Sequence, residues 1–186
     1  MDRKIITVEM ISDLPEPVQR YMRYTGIVGK PWIDNVWLKQ IGKFRQGLEK
    51  PWMPMVAEQT YTTNPAGFVW DAKFKTAGVP ILRATDRYVN GKGHMFGKLA
   101  GVITVFDVQG EKLDQGSMLR YLSEMIWFPI AFLGDNIIWE SRDANSAYVT
   151  FTDYGKSVRG IMCFDEEGRF TNFTTQRYRE MDGDFL

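Results

Sequence analysis

The sequence predicts an α+β domain that is mainly antiparallel β: a curved sheet or half-barrel covered by a helix, plus an N-terminal helix. Three observations predict it. Hydrophobic residues alternate with a period of two through segments such as 35–46, 55–63, 68–75 and 81–89. Two stretches, around Val18 and around Leu119, break that pattern with helical spacing. Rings are abundant, with 6 Trp, 8 Tyr and 12 Phe, and large aromatic side chains favour pleated, half-buried surfaces.

Asp13 is placed to cap a helix whose apolar residues Leu14, Val18, Tyr21 and Met22 share one side, and Gly26 lies just past its end. Pro15 and Pro17 fit only a first turn, so the helix is expected from Pro17 onward. Asn35–Gln46, Met55–Thr63, Phe68–Lys75 and Ile81–Val89 are expected as strands, with a turn at Asn64-Pro65-Ala66-Gly67 and another at Asn90-Gly91-Lys92-Gly93. In the third strand Phe68, Trp70, Ala72 and Phe74 share one face, while Val69, Asp71, Lys73 and Lys75 share the other. His94–Val108 resumes as β, with Gly97 and Gly101 marking a bend or bulge. Leu113–Trp127 has helical spacing, Asp114 is a candidate cap, and Pro129 ends or kinks the helix. The last third is a meander of Ile137–Ser141, Ala147–Thr152, Ser157–Phe164 and Phe170–Tyr178, for eight or nine strands in all. The closing Met181–Leu186 is expected to belong to a strand cut short at this C-terminus, and residues 1–186 to form a single β-rich domain.

At 186 residues the chain can bury a core without staples. Its 44% hydrophobic and 25% charged content is that of a globular protein, not of a disordered chain. Lys+Arg 23 against Asp+Glu 23 gives no net charge, hence no electrostatic case for nucleic acid or anionic lipid. Cys163 is alone, which excludes an intrachain disulfide and a multi-cysteine metal site. The first 17 residues, with charges on both sides of a short apolar stretch, do not read as a signal peptide, and the apolar run 125–134 falls short of the roughly 20 residues that span a bilayer. The expectation is a soluble, cytoplasmic protein, monomer or homodimer.

Most chemical motifs fail on spacing. In Gly91-Lys92-Gly93-His94-Met95-Phe96-Gly97 the third glycine comes one residue late for a dinucleotide loop, and a strand follows where that loop needs a helix. A Walker loop fails too, because Lys98 precedes Leu99 and not Ser or Thr. Gly155-Lys156-Ser157-Val158-Arg159-Gly160 is no nucleophile elbow. The one histidine, His94, follows a glycine turn and reads as a surface or turn residue, and with one His and one Cys no metal or other cofactor is expected.

Carboxylates and rings remain. Glu58 lies in an otherwise uncharged strand and Glu124 beside the apolar Met125–Phe128; facing the interior together, they would form an acid–base pair with raised pKa. Against this, Arg120 and Glu124 stand four apart on a helix and can pair there, and Glu58 can pair with Arg83 or Arg87. The run Met125–Leu133 concentrates Trp127, Phe128 and Phe132, as a core segment or as the wall of an apolar pocket.

Several blocks together carry a resemblance: Leu14-Pro15-Glu16-Pro17-Val18-Gln19-Arg20-Tyr21, Pro51-Trp52-Met53-Pro54 with Ala57-Glu58-Gln59, Phe68-Val69-Trp70, and Asp86-Arg87-Tyr88. The last is Leu113-Asp114-Gln115-Gly116 running into Arg120-Tyr121-Leu122, Glu124 and Trp127-Phe128-Pro129. The chain resembles, over nearly its whole length, an uncharacterised family of bacterial and archaeal proteins, a domain of unknown function. The resemblance implies no activity. It marks Glu58, Trp70, Arg87, Tyr121, Glu124 and Trp127 as positions in the family's blocks. It also implies relatives with an N-terminal membrane anchor and a longer C-terminus. In outline the expected fold is similar to the half-barrel of bacterial lipoprotein carriers, which hold acyl chains between sheet and helix; a shared fold does not fix function.

The first functional expectation is therefore a non-enzymatic domain that binds an apolar or amphipathic, lipid-like molecule between sheet and helix. Trp70, Arg87, Tyr121, Glu124, Trp127 and Phe128 are its candidate binding residues. The alternatives are a hydrolase using a Glu58/Glu124 pair and a structural or interaction module with an exposed strand edge.

Overall fold

The computed structural model describes residues 4–178 apart from 46, 77 and 78, and also 180, 181, 184 and 185. Among these residues it is an α+β fold of antiparallel strands in two open, curved sheets, with two α-helices and a short two-stranded ladder near the C-terminus. The sheet expected to be continuous is thus divided. The helical segment 111–133 intervenes between the sixth and seventh strands, and the later strands pair among themselves.

The chain separates into two compact units, residues 35–117 and residues 1–34 with 118–186. In the first, β1 (Asn35–Phe44), β2 (Met53–Thr63), β3 (Ala66–Thr76), β4 (Val79–Val89), β5 (Lys92–Leu99) and β6 (Ile103–Gln109) form a six-stranded meander in chain order. Alternation decides the faces. On β3, Phe68, Ala72 and Phe74 are buried while Val69 and Lys73 are exposed, as the period-two pattern predicts. Asn90 and Gly91, with φ of 53° and 73°, close the two-residue turn between β4 and β5, since a left-handed pair matches the strands' twist. The expected bend at Gly97 is a register shift between Gly97 and Lys98, and Gly101, at φ 78°, lies in the turn that splits 94–108 into β5 and β6.

Helix α2 (Glu111–Glu124) begins in this unit. Asp114 does not cap it. The helix starts four residues earlier than that role requires, and Asp114 sits buried in its first turn. Its carboxylate instead accepts the Gly93 N–H at 2.8 Å and Lys92 Nζ at 3.1 Å. A Cβ on Gly93 would lie 2.8 Å from the Leu113 carbonyl oxygen and 2.6 Å from Ser117 Oγ, so this approach of helix to strand needs glycine.

In the other unit, α1 (Glu16–Tyr24) packs on a four-stranded meander, β7 (Ile137–Asp143), β8 (Ser146–Asp153), β9 (Lys156–Phe164) and β10 (Phe170–Thr175). Pro15, not Asp13, occupies the helix N-cap, and no side chain bonds there; Pro17 stands in the first turn, where its missing N–H costs nothing. Val18, Tyr21 and Met22 bury the predicted stripe. Arg20 ties the helix down by donating to the Ala144 carbonyl at 3.0 Å and to Asn145 Oδ1 at 2.9 Å. The second part of α2 ends at Glu124, and 3₁₀ turns over Met125–Trp127 and Pro129–Leu133 follow, so Pro129 opens a new turn after the helix has stopped. Glu180–Met181 and Asp184–Phe185 pair as a two-residue ladder; Gln46 and Leu186, the ends of two expected strands, lie outside the described residues.

Candidate functional site

The inward face of the six-stranded sheet is built on a row of small residues. Register sets Ala57 opposite Ala72, Ala72 opposite Ala84, and Ala84 opposite Gly97. Methyl groups side by side leave a low floor between taller neighbours. On one side stand Met55, Phe74 and Leu82, also in register, with Met53 beside them. On the other side runs the row Gln59–Trp70–Asp86–Met95. The far end is closed by Phe106, opposite Gly97, whose ring atoms come within 2.3 Å of where a Cβ would be. The alanines are buried, whereas Met53, Met55, Trp70, Leu82 and Phe106 are only partly so. The result is an apolar trough packed over at its base by its own side chains, Ala57 and Ala72 being 1% and 0% exposed, so that only its walls meet solvent.

One wall is polar. The Trp70 indole N–H donates to Gln40 Oε1 at 2.7 Å, and the Gln40 amide reaches Gln59 Oε1 at 3.5 Å. Gln59 is fully buried, which fixes its amide orientation by its neighbours. Asp86 faces Trp70 across the β3–β4 pair and is partly buried. An apolar floor with amide and carboxylate groups along one side matches a molecule with an apolar body and one polar end.

The predicted site residues disperse. Trp70 faces the trough. Arg87 stands on the opposite face of the same sheet, opposite Val69, and donates to His94 Nδ1 at 2.9 Å. His94 Nε2 lies 2.8 Å from Asp107 Oδ1. Because Arg87 can only donate, Nδ1 accepts and the ring proton sits on Nε2, so both ring nitrogens are engaged. Glu58 also faces outward: it is exposed between buried Ala57 and Gln59, so the interior placement that an acid–base role requires is not met. Arg83 does not take Glu58; it grips Asp71 at 2.9 and 3.0 Å through Nε.

In the other unit Glu124 accepts from Arg120 Nε at 3.0 Å, the helical pair weighed in the sequence. Tyr121 and Phe128 are core residues: the Tyr121 ring lies 5.8 Å from Phe128 and 5.4 Å from Phe151. Burial pushes the Tyr121 hydroxyl far above the ordinary tyrosine range, with Asp153 adding to the shift, and burial does the same to Tyr21. Trp127 is half exposed.

Sequence reasoning missed Gln40, Gln59, Asp86 and the alanine row. Each is unremarkable in its own segment, and only the strand register places them together. Among the described residues no group of three or more His, Cys, Asp or Glu could hold a metal ion, and no helix is long and apolar enough to cross a membrane.

No curated protein matches the chain. A family model does, over residues 4–186, and it covers both sheets, the trough and the outward face alike. The chain belongs to that family, a family of unknown function designated DUF6544.

Proposed function

We propose that the six-stranded unit binds an apolar or amphipathic small molecule, lipid-like in kind, along the trough of its inward face. One observation carries the reading: a floor of Ala57, Ala72 and Ala84 flanked by partly exposed Met53, Met55, Trp70 and Leu82. Thioether side chains adapt to irregular apolar shapes, which suits a chain-like ligand. The Gln40–Trp70–Gln59 cluster and Asp86 supply the polar end with donors and acceptors. The carboxylate-pair hydrolase has no comparable support, with Glu58 exposed and Glu124 held by Arg120.

Native mass spectrometry of freshly purified protein, with titration of a fluorescent fatty acid, tests the proposal. Ala84→Leu raises the floor and is expected to abolish uptake while the protein still melts cooperatively. Uptake equal to that of the unsubstituted chain would remove the trough from consideration.

A further inference from the structure

A net charge of zero conceals a division. Residues 35–117 carry 11 Lys+Arg against 7 Asp+Glu, a net +4, and the remainder carries 12 against 16, a net −4. Much of the positive excess stands on one surface, the outward face of the six-stranded sheet. Lys73 pairs in register with Arg83, and Arg83 with Lys98, so three cations lie side by side across β3, β4 and β5. Like charges directly opposite one another destabilise a sheet, and Arg83 discharges onto Asp71 while Lys73 and Lys98 remain exposed. Lys43 extends the same face on β1, and Lys39 stands there opposite Glu58, which is in register with Asp71.

Beside these cations are apolar side chains in water. Trp37 and Ile41 alternate with the lysines on β1 and are 60% and 78% exposed. Leu48 and Trp52, in the turn that follows, are 79% and 56% exposed, with Arg45 stacked 4.7 Å over the Trp52 ring. Exposed aliphatics offer nothing to a nucleic acid, which rewards cations and stacked rings. An anionic bilayer rewards both groups present here: cations near its charged surface and Trp, Leu or Ile inserted at its interface.

We propose that this outward face docks on anionic lipid bilayers, Lys73, Arg83 and Lys98 against the headgroups and Trp37, Ile41, Leu48 and Trp52 entering the interface. The trough lies on the other face of the sheet, so the docking stands whether or not the trough holds a ligand.

Co-sedimentation with phosphatidylcholine vesicles, with and without about one third phosphatidylserine, tests it. Binding is expected to the charged vesicles and not to the neutral ones, and to fade as salt screens the surface. Each basic side chain near such a leaflet contributes about fivefold in affinity, so Lys73→Glu with Lys98→Glu is expected to weaken binding at least about 20-fold. That double variant places opposite charges beside Arg83, so its melting temperature should hold or rise and a folding defect cannot mimic the loss. Arg23→Glu with Arg177→Glu makes the same change of charge in the other unit and is expected to leave vesicle binding within about twofold. Trp52→Ser is expected to weaken binding with the salt dependence unchanged. Failure to bind charged vesicles, equal losses from the two double variants, or tighter binding to a single-stranded RNA or an acidic peptide than to vesicles would each overturn the proposal.

Discussion

Asp114 is 1% exposed, and its oxygens accept the Gly93 N–H at 2.8 Å and Lys92 Nζ at 3.1 Å. The two contacts differ in worth. Lys92 is 71% exposed and its ion pair is screened, so Lys92→Ala is expected to cost less than about 1 kcal/mol. Asp114→Ala leaves a buried N–H with no acceptor and should cost about 1–3 kcal/mol by urea denaturation. Equal costs for the two variants would contradict this division. Tyr21 and Tyr121 act through pH instead. Burial raises both hydroxyls above the value of 10.0 that tyrosine has in the unfolded chain. Their stabilising effect is therefore complete below about pH 10 and is lost as pH rises beyond it, because the unfolded chain releases those protons first. Each should lower unfolding free energy by about 1.4 kcal/mol per pH unit in that range, and Tyr121→Phe should flatten the alkaline slope by that amount. An unchanged slope in the variant would show that Tyr121 ionises as freely in the folded protein as in the unfolded one.

At the level of elements, both sheets repeat one device, a ring laid over a glycine of the adjoining strand. Phe106 covers Gly97, and Phe173 covers Gly160, where ring atoms come within 2.3 Å of the place a Cβ would take. Gly160→Ala is expected to cost about 1–3 kcal/mol through overpacking, and distinctly less once Phe173→Ala has removed the ring. Additive costs in the four-member cycle would mean that ring and glycine are not coupled. Such pairs also show where sequence reasoning stops. Alternation within Phe68–Lys75 was enough to assign both faces of β3, since period two is a local property. The same pattern put β4 and β9 within two residues of their observed starts. The alanine row, the Gln40–Gln59 contact and the opposition of Lys73, Arg83 and Lys98 depend on which residue of one strand meets which of the next. Nothing within a single segment encodes that pairing, and a one-residue slip would reverse every face. Glu58 was legible as an isolated acid, but its outward direction follows from Ala57 and Gln59 being the buried neighbours. Asp114 was legible as a helix-start residue, and its partner Gly93, twenty-one positions away, was not.

For the whole molecule, the division of charge matters more than its sum. A chain of net zero charge and pI near 6.6 has little overall repulsion at neutral pH, so nothing of long range holds copies apart. A +4 unit and a −4 unit in the same chain then attract one another between molecules. That attraction reaches about 30 Å at 0.01 M salt and about 8 Å at 0.15 M, so it should operate only in dilute buffer. Sedimentation velocity near pH 7 is expected to show mass rising with concentration at about 0.01 M salt and a constant mass at about 0.15 M. Association that persisted at the higher salt would have to come from apolar contact, for which the exposed Trp37, Ile41 and Leu48 are the nearest source. The two causes separate further with pH. Moving two units from the pI gives every copy the same sign, which dissolves an electrostatic assembly and leaves an apolar one in place. If the mass at about 0.01 M salt is already independent of concentration near pH 7, the opposed charges are too dispersed over their units to act as poles. The docking face would then rest on the local row of Lys73, Arg83 and Lys98 rather than on the charge of the unit that carries it.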